Sequence, residues 1–139
     1  MQVENAVYPS PESLEALRIE LTNPTPGPVL MLNLIKFRDQ ASYPDGRPTT
    51  LTGRQAYLLY AASMGKIVEQ HGGRILFTND IESLVIGQVE NTWDLCALVE
   101  YPSITAFAMI MNSPEVAGIS IHRDAGLAGQ LLIRLGQPD

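Results

Sequence analysis

The sequence predicts an α+β fold in which a four-stranded antiparallel sheet carries two helices on one face, with an extra helix before it. Apolar runs of strand composition alternate with segments whose apolar residues recur at helical spacing. In chain order they give strand, helix, strand, strand, helix, strand, which is the split βαβ order of the ferredoxin-like fold. The 139 residues are enough for one domain with a substantial core.

The extra helix is predicted over residues 10–22. Ser10 is a typical N-cap, Pro11 is favoured at the first helical position, and leucines recur at helical spacing as far as the break at Pro24. We therefore expect residues 1–27 to form an arm with a short helix, and residues 28–139 to form the ferredoxin-like domain.

The first strand is predicted over residues 28–37, a nearly continuous apolar run. Alternation places three leucines on one face and a mixed set on the other, namely Leu30, Leu32 and Leu34 against Met31, Asn33, Ile35 and Phe37. We expect the leucine face to carry the helices. The mixed face would then form an apolar patch in water, so we expect a second copy to cover it, sheet on sheet. The long loop 38–51 is interpreted as a lid.

The remaining elements follow from caps and turn signals. A capping box at Thr52 opens a helix that ends near His71, before two glycines. We then predict, in order, a bent strand over 74–78 and 83–87, a strand over 93–101, helical turns after Ser103 and Ser113, a connector over 119–127 and a strand over 128–135.

Composition excludes several classes of function. With 45% hydrophobic and 17% charged residues the chain is globular, and a net charge of −6 argues against nucleic-acid and anionic-membrane partners. Neither a secretory signal nor a membrane span is expected, and the single cysteine, Cys96, favours a cytoplasmic location. Two distant histidines and the lack of phosphate-binding motifs predict no metal and no cofactor.

A set of short motifs, in order and at suitable spacing over about residues 28–135, resembles the DUF1330 family of the dimeric α+β barrel superfamily. The motifs are Met31-Leu32-Asn33-Leu34-Ile35-Lys36-Phe37-Arg38, Thr52-Gly53, Ala56-Tyr57, Tyr60, His71-Gly72-Gly73-Arg74, Val85-Ile86-Gly87, Trp93-Asp94, Glu100-Tyr101-Pro102-Ser103, Ala106-Phe107, Ser113-Pro114-Glu115 and Arg123-Asp124-Ala125-Gly126-Leu127. The resemblance implies a ferredoxin-like protomer and a barrel-forming homodimer. It implies little about chemistry, because this fold carries many activities.

Five residues are candidates for binding a ligand: Asn33, Tyr57, Tyr60, Trp93 and Arg123. Asn33 lies in the middle of an apolar strand, where its amide must find a partner, either a ligand or neighbouring backbone. The aromatic residues can line a pocket with an apolar body and a polar tip, or simply belong to the core. Arg123 can hold a carboxylate or phosphate, or pair with its neighbour Asp124.

His122 and Tyr60 are the candidate catalytic residues. A histidine can transfer protons near neutral pH, although a charged connector is more often only solvated. The sequence thus suggests a small apolar or aromatic metabolite bound between sheet and helices, by a protein that by analogy with the superfamily could be a cofactor-free monooxygenase-, isomerase- or cyclase-like enzyme. The alternative is a non-enzymatic ligand-sensing or interaction module, and the sequence leaves the choice open.

Overall fold

The computed structural model describes residues 9–136, which form four helices and four strands. In chain order these are α1 (Pro11–Thr22), β1 (Val29–Phe37), α2 (Gly53–Gln70), β2 (Arg74–Asp80), β3 (Leu95–Tyr101), α3 (Ile104–Met111), α4 (Pro114–Gly126) and β4 (Leu127–Leu135).

The four strands form one antiparallel sheet in the order β2-β3-β1-β4. β1 pairs with β3 on one side and with β4 on the other, so the apolar run at the start of the domain occupies an inner position. This order confirms the predicted ferredoxin-like arrangement, because β1 and β2 run in the same direction with β3 between them.

Local sequence fixes where the helices begin. The side chains of Ser10, Thr52, Ser103 and Ser113 each accept a hydrogen bond from the backbone N–H three residues later. At Thr52 the capping box is complete, since the Gln55 side chain also accepts from the Thr52 N–H at 2.9 Å. Each cap satisfies an amide that the helix itself cannot, which is why these starts could be found from sequence.

The prediction of which face of β1 carries the helices was wrong. Met31, Ile35 and Phe37 are buried in the core beneath the helices, whereas Leu30, Leu32 and Leu34 lie on the opposite face and are only partly buried. Alternation decides which residues share a face, but the side taken by the helices depends on the right-handed crossovers between strands.

Strand register extends the leucine face across the sheet. Leu32 pairs with Leu98 on β3 and with Ile133 on β4, and Leu34 pairs with Leu131. Ile133 and Leu131 are each 38% exposed although they lie within a sheet. We call this surface the open face, defined by Phe77, Leu98 and the residues Leu30, Leu32, Leu34, Leu131, Ile133 and Leu135.

Residues 83–87 do not continue the second strand. β2 ends at Asp80, and the segment that follows is an irregular connection in which Val85 and Ile86 are each 88% exposed. Its apolar composition predicts a strand, but a strand needs a second strand to pair with. Within the described residues this segment pairs with no strand.

Residues 119–126 are not a connector but the C-terminal half of α4. The charged triplet at 122–124 suggested a loop, whereas each of its residues takes a different side of the helix. Arg123 lies seven positions after the buried Val116 and therefore shares its core-facing side. Its positive charge also suits the last turn of a helix.

Loop 38–51 packs against the helices. Ala41 N–H donates to the Leu51 carbonyl at 3.0 Å and Ser42 N–H donates to the Ala125 carbonyl at 2.9 Å. Ala41 and Tyr43 are buried in a small cluster with Ala56 and Ala125. The loop is thus attached to the outer side of α2 and α4.

Residues 9–136 include no single helix that is both long and apolar enough to span a membrane; α3 and α4 meet the criterion only jointly, as a pair bent by 71°.

The close packing around Gly53, at the start of α2, gives a stability prediction. A Cβ at Gly53 would collide with the backbone oxygen of Arg38 and lie 2.7 Å from that of Gly126, whereas a Cβ at Gly118 would meet nothing within 4 Å. Gly53→Ala should therefore lower the free energy of unfolding by about 1–3 kcal/mol, and Gly118→Ala should raise it by up to about 1 kcal/mol. Urea denaturation checks both variants; equal effects would contradict the described packing.

Candidate functional site

A cavity of about 110 Å³ lies between the sheet and helices α2, α3 and α4. Its apolar walls come from the buried face of β3 and from α2. Its polar lining consists of Thr78, near the outer edge, and a group of six residues: Asn33, Tyr57, Tyr60, Tyr101, Arg123 and Gln130. We call these six the polar cluster.

A larger and more open cleft, of about 490 Å³, lies at the end of the sheet beside α1. Its charged groups are Glu20, Glu100 and Arg134, and Glu20 is already paired with Arg134. Its charges are half-exposed and already paired, since Glu20 binds Arg134 and Glu100 binds Arg74, so this cleft has less capacity to hold a specific ligand than the smaller interior cavity.

Asn33 makes long hydrogen bonds in the middle of β1. Its Nδ2 donates to the backbone oxygens of Met31 and Ala97, both at 3.5 Å, and its Oδ1 accepts from Gln130 Nε2 at 3.3 Å. The usual N–H···O distance is about 2.9–3.0 Å, so the two donor bonds are weak. The amide is thus held in place while retaining hydrogen-bonding capacity toward the cavity.

Tyr57 and Tyr60 project from adjacent turns of α2, with ring centroids 5.7 Å apart. They share their face of the helix with Met64 and Val68, at the spacing of an apolar stripe. Burial raises the pKa of Tyr57 well above its ordinary value, and the nearby Tyr60 adds to the shift. Burial likewise raises the pKa of Tyr60, so both phenols stay protonated near neutral pH.

Arg123 brings a positive charge to the tyrosines. Its guanidinium carbon lies 5.4 Å from the Tyr60 ring centroid, and the guanidinium donates a hydrogen bond to the Tyr60 hydroxyl, an interaction that lowers the pKa of that tyrosine against the larger effect of burial. The Arg123 side chain is only 11% exposed, and its Nε lies 3.7 Å from Asp124 Oδ1. The charge is therefore desolvated and partly balanced by its sequence neighbour.

Tyr101 and Gln130 belong to the polar cluster, but the sequence reasoning missed them. Tyr101 lies on the same face of β3 as Ala97 and Val99, and Gln130 pairs across the sheet with Ile35. Burial raises the pKa of Tyr101, with contributions from Tyr60 and Tyr57. A signal was available for Tyr101, which is the member with a polar tip on the alternating buried face of β3. Gln130 had none, because its face of β4 also carries Arg134 and an exposed leucine.

The cavity offers mainly hydrogen-bond donors. Its described lining contains three tyrosines kept neutral by burial, one guanidinium and two amides, but no carboxylate and no histidine. Such a set can bind an oxygen that carries negative charge or lone pairs. It does not supply a group that would accept a proton near neutral pH.

The structure does not bring His122 or Trp93 to the cavity. The Nδ1 atom of His122 lies 2.8 Å from the Tyr43 hydroxyl, on the side of α4 that faces loop 38–51. Trp93 is half-buried in the segment before β3 and does not line the cavity. No residue of loop 38–51 lines it either, so the predicted lid lies elsewhere.

Within residues 9–136, no group of three or more His, Cys, Asp and Glu side chains is placed to hold a metal ion. Cys96 is a free, half-buried thiol on the face of the sheet opposite the cavity.

Comparison with known families agrees with this architecture. The sequence profile of the family described as domain of unknown function DUF1330 matches residues 48–136. The chain belongs to the DUF1330 family. The prediction from the short motifs is thereby confirmed. No curated protein matches the sequence.

Solved structures extend the likeness to nearly the whole chain. RPA0582 from Rhodopseudomonas palustris, a protein of unknown function, is 32% identical, with a TM-score of 0.84 over 97% of this chain and 98% of that one. A Mesorhizobium loti protein of the dabb family, with a ferredoxin-like fold, is 9% identical, with a TM-score of 0.50 over 81% and 99% of the two chains.

A Caulobacter crescentus protein provisionally described as an antibiotic biosynthesis monooxygenase is 14% identical, with a TM-score of 0.53 over 88% of this chain and 99% of that one. At this level of identity the likeness concerns the fold alone.

The buried tyrosines give a prediction on pH dependence. Because burial raises the pKa of Tyr57, it remains protonated in the folded state at pH values where the unfolded chain ionises, so its contribution is complete below about pH 10 and is lost as the pH rises further. We expect the free energy of unfolding to fall above pH 10, by about 1.4 kcal/mol per pH unit for each such tyrosine. Tyr57→Phe should reduce this slope in urea titrations at pH 9–11, and an unchanged slope would contradict the assignment.

Proposed function

We propose that this protein is a homodimer that binds a small ligand with a carbonyl or carboxylate group on a short apolar body. The polar cluster supports this proposal: buried tyrosines and half-buried hydrogen-bond donors from two helices and three strands converge on one cavity. Polar side chains gathered around one interior cavity, together with tyrosine pKa values raised by burial, are typical of a binding site.

The donor-rich lining determines the polar end of the ligand. Phenolic hydroxyls that stay protonated and a desolvated guanidinium both favour an acceptor oxygen. The planar guanidinium of Arg123 presents donors that match the two oxygens of a carboxylate, so a carboxylate is the acceptor that suits this site best. Asn33 and Gln130 can then orient a second oxygen of the ligand.

The size of the cavity limits the apolar end. A cavity of about 150 Å³ accommodates benzene, and this one measures about 110 Å³. The ligand is therefore a compound with a short apolar body, smaller than a benzene ring and at the small end of the metabolites suggested by the sequence. The apolar wall formed by Val99, Phe107 and Met111 suits such a body.

A catalytic role is the second candidate, favoured by the same donors. Preorganised donors in a desolvated site stabilise an enolate or similar oxyanion, as a cofactor-free monooxygenase-, isomerase- or cyclase-like reaction would require. Without a base in the described lining, such a reaction would need a substrate that is already ionised or acidic. Ligand sensing without a chemical reaction requires only that the site binds the ligand, and no base is needed.

The open face supports the homodimer. Its apolar residues extend over all four strands, and the side chains of Ile133, Leu131 and Phe77 are each more than a third exposed in the protomer. An apolar surface of this extent on a sheet favours burial against an identical one, because a two-fold axis makes the same face complementary to itself. The homodimer that the sequence suggested remains a proposal. Its proposed interface is the open face, because the mixed face of β1 lies beneath the helices.

Ligand binding can be tested with acetate and propionate as carboxylates and acetone as a neutral carbonyl compound, using isothermal titration calorimetry. Removing a charged donor typically weakens binding by about 1.5–3 kcal/mol, which is roughly 10- to 150-fold in Kd. We expect Arg123→Gln to weaken carboxylate binding by this factor and to affect acetone less. Asn33→Ala should weaken both. Lys66→Gln, on the exposed side of α2, is the matched control and should change neither.

Binding of none of these probes at millimolar concentration would contradict the proposed ligand class. Equal binding by the wild type and Arg123→Gln would show that the guanidinium does not contribute to ligand binding.

The homodimer can be tested by sedimentation at micromolar concentration. Ile133→Glu places a charge on the open face, beside Leu32, and should give monomers, while the protomer tolerates it because the side chain is already 38% exposed. Leu59→Glu, at an exposed position on α2, is the control and should remain dimeric. A monomeric wild type would contradict the proposal, and partner binding that depends on the same face would support an interaction module instead.

A further inference from the structure

We propose that the hydroxyls of Tyr57 and Tyr101 form a second subsite of the cavity, which binds a hydroxyl group of the ligand. The ligand is then a short hydroxy acid, with its carboxylate at Arg123 and its hydroxyl at these two tyrosines. The inference rests on the proposed function, and it adds a chemical group to the ligand and two residues that select for it.

The hydroxyls of Tyr57 and Tyr101 have no hydrogen-bond partner within residues 9–136. Both side chains line the cavity, and they are only 8% and 5% exposed. Neither oxygen is among the unpaired side-chain atoms that protein atoms enclose completely, so both can be reached from an adjoining space. A buried tyrosine usually finds a partner for its hydroxyl. These two hydroxyls are therefore available to a molecule that enters the cavity.

The rings of both tyrosines are held in place by other aromatic residues. Tyr57 packs against Phe37 and Tyr60, with centroid distances of 5.5 and 5.7 Å. Tyr101 packs edge-on against Phe107, with the centroids 5.0 Å apart. A phenylalanine would make the same ring contacts, so the packing itself makes no use of the hydroxyls. Because the rings are already fixed, ordering them costs little when a ligand binds.

The cavity differs in charge from one end to the other. Burial is the main cause of the raised pKa of Tyr57 and of Tyr60, and the positive charge of Arg123 opposes it at both. Burial also raises the pKa of Tyr101, where the neighbouring Tyr60 and Tyr57 add to the shift. The guanidinium thus acts on the end at Tyr60, which suits a carboxylate, while the end at Tyr101 suits an uncharged group.

A pair of neutral phenols matches a hydroxyl group in particular. Each phenol can donate one hydrogen bond and can also accept one. A ligand hydroxyl does both as well, so it can accept from one tyrosine and donate to the other. A methyl group at the same place would leave both phenols without a partner.

Isosteric acids test the subsite by calorimetry near neutral pH. Glycolate and 3-hydroxypropionate carry a hydroxyl where propionate and butyrate carry their terminal methyl group, so the two members of each pair occupy similar volumes. Loss of one buried methyl group alone would weaken binding by about fourfold. We expect the opposite, with at least one hydroxy acid binding about threefold or more tightly than its isostere. Oxalate, which has a second carboxylate, should bind no more tightly than glycolate.

Tyr57→Phe and Tyr101→Phe remove the hydroxyls and keep the rings. A neutral hydrogen bond changes affinity by roughly 2- to 12-fold, and we expect at least one variant to reduce the preference for the hydroxy acid by this factor. Since neither hydroxyl has a partner within the described residues, both variants should keep or raise the urea midpoint at neutral pH.

Tyr43→Phe is the matched control. Its hydroxyl lies 2.8 Å from His122 Nδ1, and Tyr43 does not line the cavity. Removing this hydroxyl leaves the imidazole without its partner, so the urea midpoint should fall, while the preference for the hydroxy acid should stay within about 1.5-fold of the wild type.

The subsite is contradicted if neither hydroxy acid binds more tightly than its isostere, or if oxalate binds more tightly than glycolate. It is also contradicted if both Tyr57→Phe and Tyr101→Phe keep the preference, or if both lower the urea midpoint as much as Tyr43→Phe does.

The outcome is separable from that of the proposed function. Propionate binding that depends on Arg123, without any preference for hydroxy acids, would reject the subsite and retain the carboxylate site. If no carboxylate binds, 1-propanol serves as the probe. Binding of 1-propanol that Tyr101→Phe or Tyr57→Phe weakens would retain the subsite and reject the acid, and the absence of binding by every probe would reject both.

Discussion

The sheet is apolar on both faces, but the helices cover only one of them. The rest of this structure depends on that constraint. The covered face provides the core and encloses the cavity, and the other remains an open apolar surface. One feature of composition, apolar residues in both registers of β1, thus produces both the interior site and the surface proposed for dimerisation.

The polar cluster is the exception to an otherwise apolar interior. Asn33 and Gln130 bond to each other, and Arg123 contacts both Tyr60 and Asp124, so the buried groups support one another. Their hydrogen bonds are long or shared, however, and burial keeps three phenols neutral beside a cationic group. Folding alone would be served better by apolar residues of similar volume.

Helix α4 determines what this site can do. Because Arg123 and His122 are neighbours on a helix, they point about 100° apart, one toward the cavity and one toward Tyr43. The described lining of the cavity thereby gains a positive charge, while the imidazole lies outside it. A loop at the same positions could have brought both side chains together, and the site would then have had the means for proton transfer.

The sequence by itself determined the order of elements, the helix caps and the family, because caps, turn residues and periodicity act over a few neighbouring residues. It also indicated Asn33, Tyr57, Tyr60 and Arg123, each a polar or amphipathic residue in an apolar pattern. Only the tertiary structure decided which face of β1 the helices cover, that residues 83–87 find no strand partner in the protomer, and that Tyr101 and Gln130 meet the cluster while His122 does not. These outcomes depend on crossover geometry and on contacts between residues far apart in the chain, which local patterns do not encode.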